Sequence, residues 1–144
     1  MLCLTCAAGD ARAAAGESRT GRITHIVDGA TLEMLVDTRR QRVRLAGIAA
    51  PPAGKTYALR SRQSLVQICG GEIATVESKG KDRNGTLLAR VTCNGTDANA
   101  EQVRRGFAQA SGADAPDVQL QALQAEAQAA HRGLWSTQVS PEPR

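Results

Sequence analysis

The sequence predicts an α+β domain, mainly β: a five-stranded Greek-key barrel with about three helices. Three observations predict it. Apolar and polar residues alternate along three segments before Gly47 and along two more after Gly71, the period of half-buried strands. Asp28-Gly29, Asn84-Gly85 and Asn94-Gly95 punctuate those segments as turn signals. Helical spacing of apolar residues follows the third segment and returns near the C-terminus. Three strands, a helix, two strands and closing helices fit a small barrel of the OB type, one option among several α+β folds on pattern alone.

The elements follow in order. Arg22 to Asp28 alternates, with Ile23 and Val27 among its strand formers, and Asp28-Gly29 turns the chain. Leu32 to Val36 is a second strand with Glu33 outward, and Asp37-Thr38-Arg39 is the next turn. Arg40 to Ala46 returns as a third strand, Val43 and Leu45 on one face and Arg42 and Arg44 on the other. Gly47 to Gly54 is a loop rich in Gly and Pro. Lys55 to Cys69 is a helix with Leu59, Leu65, Val66 and Ile68 helping to form its inner face, ended by Gly70-Gly71. Glu72 to Glu77 and Leu87 to Cys93 are the fourth and fifth strands. A short helix spans about Ala98 to Gly106. Asp114 is placed to cap a last helix with Pro116 in its first turn. That helix runs to about Arg132, with Leu120, Leu123, Ala127 and Ala130 along one side and Gly133 as its stop.

The chain has 144 residues, enough for one domain with a real core. Its aromatics are Tyr57, Phe107 and Trp135, so the core is aliphatic and a site built on stacked rings is nearly excluded. The net charge of +4 permits, without demanding, an anionic partner such as nucleic acid or an acidic polysaccharide. No run is long enough to span a membrane.

Residues 1–18 are expected to be an export leader or a disordered tail, residues 20–136 the domain, and residues 137–144 a flexible tail. Leu2 to Ala8 reads as the end of a hydrophobic export segment, and Ala11-Arg12-Ala13 and Ala13-Ala14-Ala15 resemble small-residue cleavage sites. Periplasmic or secreted placement is therefore expected. Cys69 and Cys93 are too far apart for a C-x-x-C motif. In an exported chain they are expected to form a disulfide, closing a loop that is worth about 3 kcal/mol. In a cytosolic chain they would be two buried free thiols.

V-D-G-A-T, R-V-R-L-A-G-I-A-A-P, K-D-R-N-G-T-L-L-A-R-V, A-N-A-E-Q-V-R-R-G-F-A and H-R-G-L-W together resemble the thermonuclease (staphylococcal nuclease-like) family. Their order and spacing match from about Gly21 to Trp135. The resemblance implies an OB-type barrel with three helices and, for active members, calcium-dependent cleavage of DNA and RNA. It also implies where this chain departs. The family's D-G-D-T is Asp28-Gly29-Ala30-Thr31 here, so one calcium carboxylate is replaced by Ala30. The family's D-x-P-E is Ala49-Ala50-Pro51-Pro52, which replaces a second calcium carboxylate by Ala49 and the general base by Pro52. The first catalytic arginine matches Arg44, whereas Thr86 stands where the second would be, and Asn84 replaces a substrate-contacting tyrosine.

Calcium seeks six to eight oxygen ligands, carboxylates foremost, and two alanine side chains supply none. A metal-assisted hydrolase needs a group that activates water, and Pro52 has nothing to titrate. The expectation is a lost calcium site with no cofactor, Asp28 and Thr31 surviving mainly as turn formers. Glu33 and Asp37 are the nearest acids but are poorly placed to substitute. His25 and His131 read as surface or capping residues. Arg42, Arg44 and Arg60 are a candidate anion-binding face, part of a wider basic set with Arg39, Arg40 and Arg62; a merely solvated face competes with that reading. Arg104-Arg105 belongs to the framework.

The whole chain looks like the small nuclease-related proteins of rhizobia named for succinoglycan (exopolysaccharide) biosynthesis. That implies an exported, non-catalytic protein with an accessory role toward an acidic polysaccharide or the proteins that make it. One alternative is a residual calcium-dependent nuclease acting on DNA or RNA. Another is a nucleic-acid-binding OB module, disfavoured by the scarcity of aromatics, since stacking supplies much of such affinity.

Overall fold

A computed structural model describes residues 17–111 and 117–138. Residues 1–16, which make up most of the expected leader or tail of residues 1–18 and include Cys3 and Cys6, lie outside the described residues, as do Asp114 and Pro116; Ser18, expected in that leader or tail, opens the first strand. The strands are β1 (Ser18–Asp28), β2 (Thr31–Val36), β3 (Arg39–Leu45), β4 (Ile48–Ala49), β5 (Ile73–Lys81), β6 (Leu87–Cys93), β7 (Thr96–Asp97) and β8 (Gln109–Ala110). The helices are α1 (Ala58–Cys69), α2 (Ala98–Arg104), α3 (Val118–Ala129) and the single turn α4 (Trp135–Gln138).

The sheet runs β3-β2-β1-β5-β6-β7, and β3 also pairs in parallel with β6. That second pairing closes the five long strands into a barrel, the expected OB-type fold. The parallel seam is short, with Val43, Arg44 and Leu45 opposite Leu87, Leu88 and Ala89. Inside, Ile26, Leu32, Val43 and Leu87 form one cross-strand row, all buried. Ile23 and Ile26 both point inward although they are three residues apart, because the β1–β2 register shifts between Ile23 and His25. A bulge of this kind absorbs one residue and preserves the inward set, and it leaves Val27 half-buried.

The helices need the most revision. Helix α1 starts at Ala58 rather than Lys55, and its buried face is Ser61, Ser64, Leu65, Ile68 and Cys69. Leu59 and Val66, expected inward, are exposed. Strand β5 continues past Glu77 to Lys81 through a register shift between Ser78 and Gly80. Helix α2 ends at Arg104. Asp117, not Asp114, caps α3, its carboxylate accepting from Leu120 N–H at 3.1 Å. Helix α3 ends at Ala129, short of Arg132, so Ala130 lies past its last turn and is exposed, while Leu120 and Ala127 are buried as expected.

Cys69 at the end of α1 and Cys93 at the end of β6 form the expected disulfide. Asn99 bolts α2 to the barrel seam. Its amide donates to the Ala46 carbonyl at 2.7 Å and the Ala89 carbonyl at 3.3 Å, and its oxygen accepts from Val91 N–H at 3.0 Å. No helix among the described residues is long and apolar enough to cross a membrane. The disulfide is compatible with a secreted or periplasmic setting.

Candidate functional site

The Asp28–Thr31 turn, the start of β3–β4 and the 82–86 turn carry the positions singled out in the sequence. Asp28 Oδ1 accepts from Ala30 N–H at 2.8 Å, an Asx turn that shapes the β1–β2 connection. Ala30 is 4% exposed, and its carbonyl accepts from Leu45 N–H at 2.8 Å, so the turn is stitched to the end of β3. Thr31 faces Arg44 across the β2–β3 ladder. Ala49 pairs with Gln109 in the small β4–β8 sheet, which ties its loop to the chain after α2. Pro52 is exposed in the loop that follows.

Behind the turn lies a buried polar set that sequence reasoning missed. Gln102 on α2 donates to the Gly29 carbonyl at 2.8 Å and to the Ser61 carbonyl at 3.1 Å. Ser61 Oγ donates to the Phe107 carbonyl at 2.7 Å. These bonds clamp the turn between α1 and α2. A Cβ at Gly29 would fall 1.8 Å from Ser61 Oγ, so the close approach requires glycine there. The available signal was the polar pair Ser61 and Ser64 on the helical repeat of Leu65 and Ile68.

The donor set does not fit a calcium ion. Alkyl groups occupy positions 30 and 49, a pyrrolidine ring occupies position 52, and Asp28 already accepts a backbone N–H. Among the described residues no group of three or more His, Cys, Asp or Glu side chains could hold a metal ion. Glu33 lies 3.8 Å from the Arg42 guanidinium, and Asp37 stands in the far β2–β3 turn at φ 59°. His25 is exposed on β1, and His131 sits just past α3 at φ 56°.

The cations divide by location. Arg40, Arg42 and Arg44 point outward along β3 and are exposed. Arg44 makes no ion pair or hydrogen bond through its side chain with the described residues. Arg60 lies in the first turn of α1, 5.4 Å over the Tyr57 ring, and helps line an open cavity of about 420 Å³ with Lys55, Thr56 and Leu59. Arg62 turns inward and donates to the Ile26 carbonyl at 3.0 Å. Thr86 is held in its turn by an N–H donated to Asp82 Oδ1 at 3.0 Å, and the neighbouring Arg83 is exposed. Arg104 and Arg105 both grip Glu101, which lowers its pKa from the usual 4.5 to about 2: the Arg104 hydrogen bond dominates, and partial burial opposes it.

Comparison with known proteins agrees with this geometry. Residues 42–137 match the family described as staphylococcal nuclease homologue. An "Uncharacterized endonuclease" of Escherichia coli O157:H7 is 33% identical over 117 residues, covering 81% of this chain and 76% of the relative. A "Micrococcal nuclease" of Shigella flexneri is 33% identical over 134 residues, covering 85% and 77%. An "Uncharacterized endonuclease" of Haemophilus influenzae is 35% identical over 129 residues, covering 88% and 72%. With the closed barrel, the Asx turn at its β1–β2 connection and matches of this extent, the chain belongs to the staphylococcal nuclease-like family.

Proposed function

We propose that this is an exported, non-catalytic member of its family with an accessory role in exopolysaccharide (succinoglycan-type) biosynthesis. One observation carries the non-catalytic reading: the turn and loop that should converge acids on a cation present Ala30, Ala49 and Pro52. Those three side chains offer neither a carboxylate to a hard cation nor a base to activate water. The polysaccharide role rests on the resemblance read from the sequence alone, in the order and spacing of its motifs between Gly21 and Trp135. The disulfide and the basic, aromatic-poor composition are compatible with it. The test is deletion of the gene in a polysaccharide-producing host. A change in polymer amount or chain length is expected, and an unchanged polymer would sink the reading.

A residual nuclease is the second reading, favoured by the names of the relatives and by Arg44, which has no ion pair with a described residue. A plasmid digest with and without calcium separates the two. Calcium-dependent cleavage that disappears in Arg44→Ala would establish the nuclease.

A further inference from the structure

We propose that the outward file Arg40–Arg42–Arg44 on β3 is a docking rail for a carboxylate-bearing polysaccharide chain. This rests on the functional reading above and gives it a surface. Alternate residues on a strand point the same way and stand roughly 6.8 Å apart. Three guanidinium groups therefore follow a nearly straight line of roughly 14 Å. Such a line suits an extended chain with repeated anions better than one compact ion.

The register shows what stands beside the rail. Arg40 is opposite Leu35 on β2, with Arg22 of β1 beyond it. Arg42 is opposite Glu33, with His25 beyond. Arg44 is opposite Thr31 on one side and Leu88 of β6 on the other. Glu33 is the sole acid of β2, and it holds Arg42 at 3.8 Å in a half-exposed pair worth little. Arg40 and Arg44 have no ion pair with any described residue. Unspent planar guanidinium forks match carboxylates in two-point contacts. Thr31, half-buried beside Arg44, adds a hydroxyl within the same row.

The same surface disfavours nucleic acid. Single strands gain much of their affinity by stacking bases on aromatic rings. Strands β1, β2 and β3 contain no Phe, Tyr or Trp, and His25 is the one ring beside the rail. Elsewhere, Trp135 is buried, Tyr57 is covered by Arg60 and joined to Ser136 at 2.9 Å, and Phe107 is half-buried. A sugar chain needs no such platform.

The test uses the purified full chain and four probes: polygalacturonate, neutral dextran, and single- and double-stranded oligonucleotides of matched charge. Binding to polygalacturonate is expected to be tighter than to either oligonucleotide and to weaken with salt; dextran is expected not to bind. The triple variant R40Q/R42Q/R44Q should lose at least roughly tenfold in affinity and show a flatter salt dependence. Glu33→Gln frees Arg42 and should tighten binding roughly twofold to fivefold, a gain that misfolding cannot mimic. Failure to bind polygalacturonate, tighter binding to either oligonucleotide, or an unaffected triple variant would each overturn the rail. A null binding result beside a clear deletion phenotype refutes the rail alone. A silent deletion beside arginine-dependent binding refutes the functional reading alone.

Discussion

Arg90 holds Asp97 in a two-point contact, Nη2 at 2.9 Å from Oδ2 and Nε at 3.1 Å from Oδ1. Asp97 also caps α2, accepting from Ala100 N–H at 3.0 Å. The same guanidinium reaches Asp117, the cap of α3, at 3.1 Å. One β6 side chain thus anchors the first turns of two helices. The Leu120 N–H and the Arg90 charge hold the Asp117 carboxyl below its usual pKa. Arg90→Gln is expected to cost about 1–3 kcal/mol, because both caps lose a charged partner. Denaturant melts measure the loss. Hydrogen exchange should show it first at Ala100 and Leu120.

Glu101 makes the fold sensitive to acid. Its pKa falls from 4.5 unfolded to about 2 folded, so its contribution is complete above 4.5 and is lost as the pH drops toward 2. Glu101→Gln should lower stability by about 1–2 kcal/mol at neutral pH. The gap between wild type and variant should close between pH 4.5 and 2, which denaturant melts across that range test. A gap independent of pH would exclude the ion-pair origin.

Reduction of Cys69–Cys93 opens a loop with a sequence separation of 24. The expected loss is about 3 kcal/mol. Cys69→Ser/Cys93→Ser should match the reduced protein in urea unfolding, since both remove the same constraint.

Gly29→Ala drives a methyl group into Ser61 and should cost about 1–3 kcal/mol. Adding Ser61→Gly removes the colliding atoms. Recovery of part of the melting temperature in that double variant would confirm the contact as the cause.

Millimolar calcium is expected to leave the melting temperature of the wild type unchanged. Ala30→Asp alone should destabilise by about 1–3 kcal/mol, since it puts a carboxylate where the side chain is buried. With Ala49→Asp and Pro52→Glu added, calcium should restore stability; 100-fold saturation of a site contributes about 2.7 kcal/mol. A calcium-induced rise in the wild type would contradict the reading of positions 30, 49 and 52.

The barrel was legible because its strands obey a period of two that burial enforces. That Val43 and Leu45 share one face and Arg42 and Arg44 the other followed from R-V-R-L alone, and the first pair is buried. Two of the four residues expected on the inner face of helix α1, Leu59 and Val66, were misplaced for a specific reason. Leu65 and Ile68 are buried as expected, but the first turn of the inner face is Ser61, which lies against Gly29, where a hydroxymethyl group fits and a larger side chain would not. Hydrophobic spacing cannot report a helix that approaches a main chain. The α3 cap was missed because two aspartates stand near its start, and Arg90, 27 residues away, is bonded to Asp117. The dense chemistry at positions 28–52 was visible as motif, whereas Gln102, which braces the turn from 73 residues away, was not.

The short parallel seam has a mechanical consequence. Only the Val43–Leu45 end of β3 is clasped on both sides, and the Arg39–Arg42 end is hydrogen-bonded to β2 alone. Strand β3 is therefore a cantilever, stiff at Arg44 and compliant at Arg40. A bound chain would meet a rigid footing at one end and a spring at the other, so irregular anion spacing could be accommodated without opening the barrel.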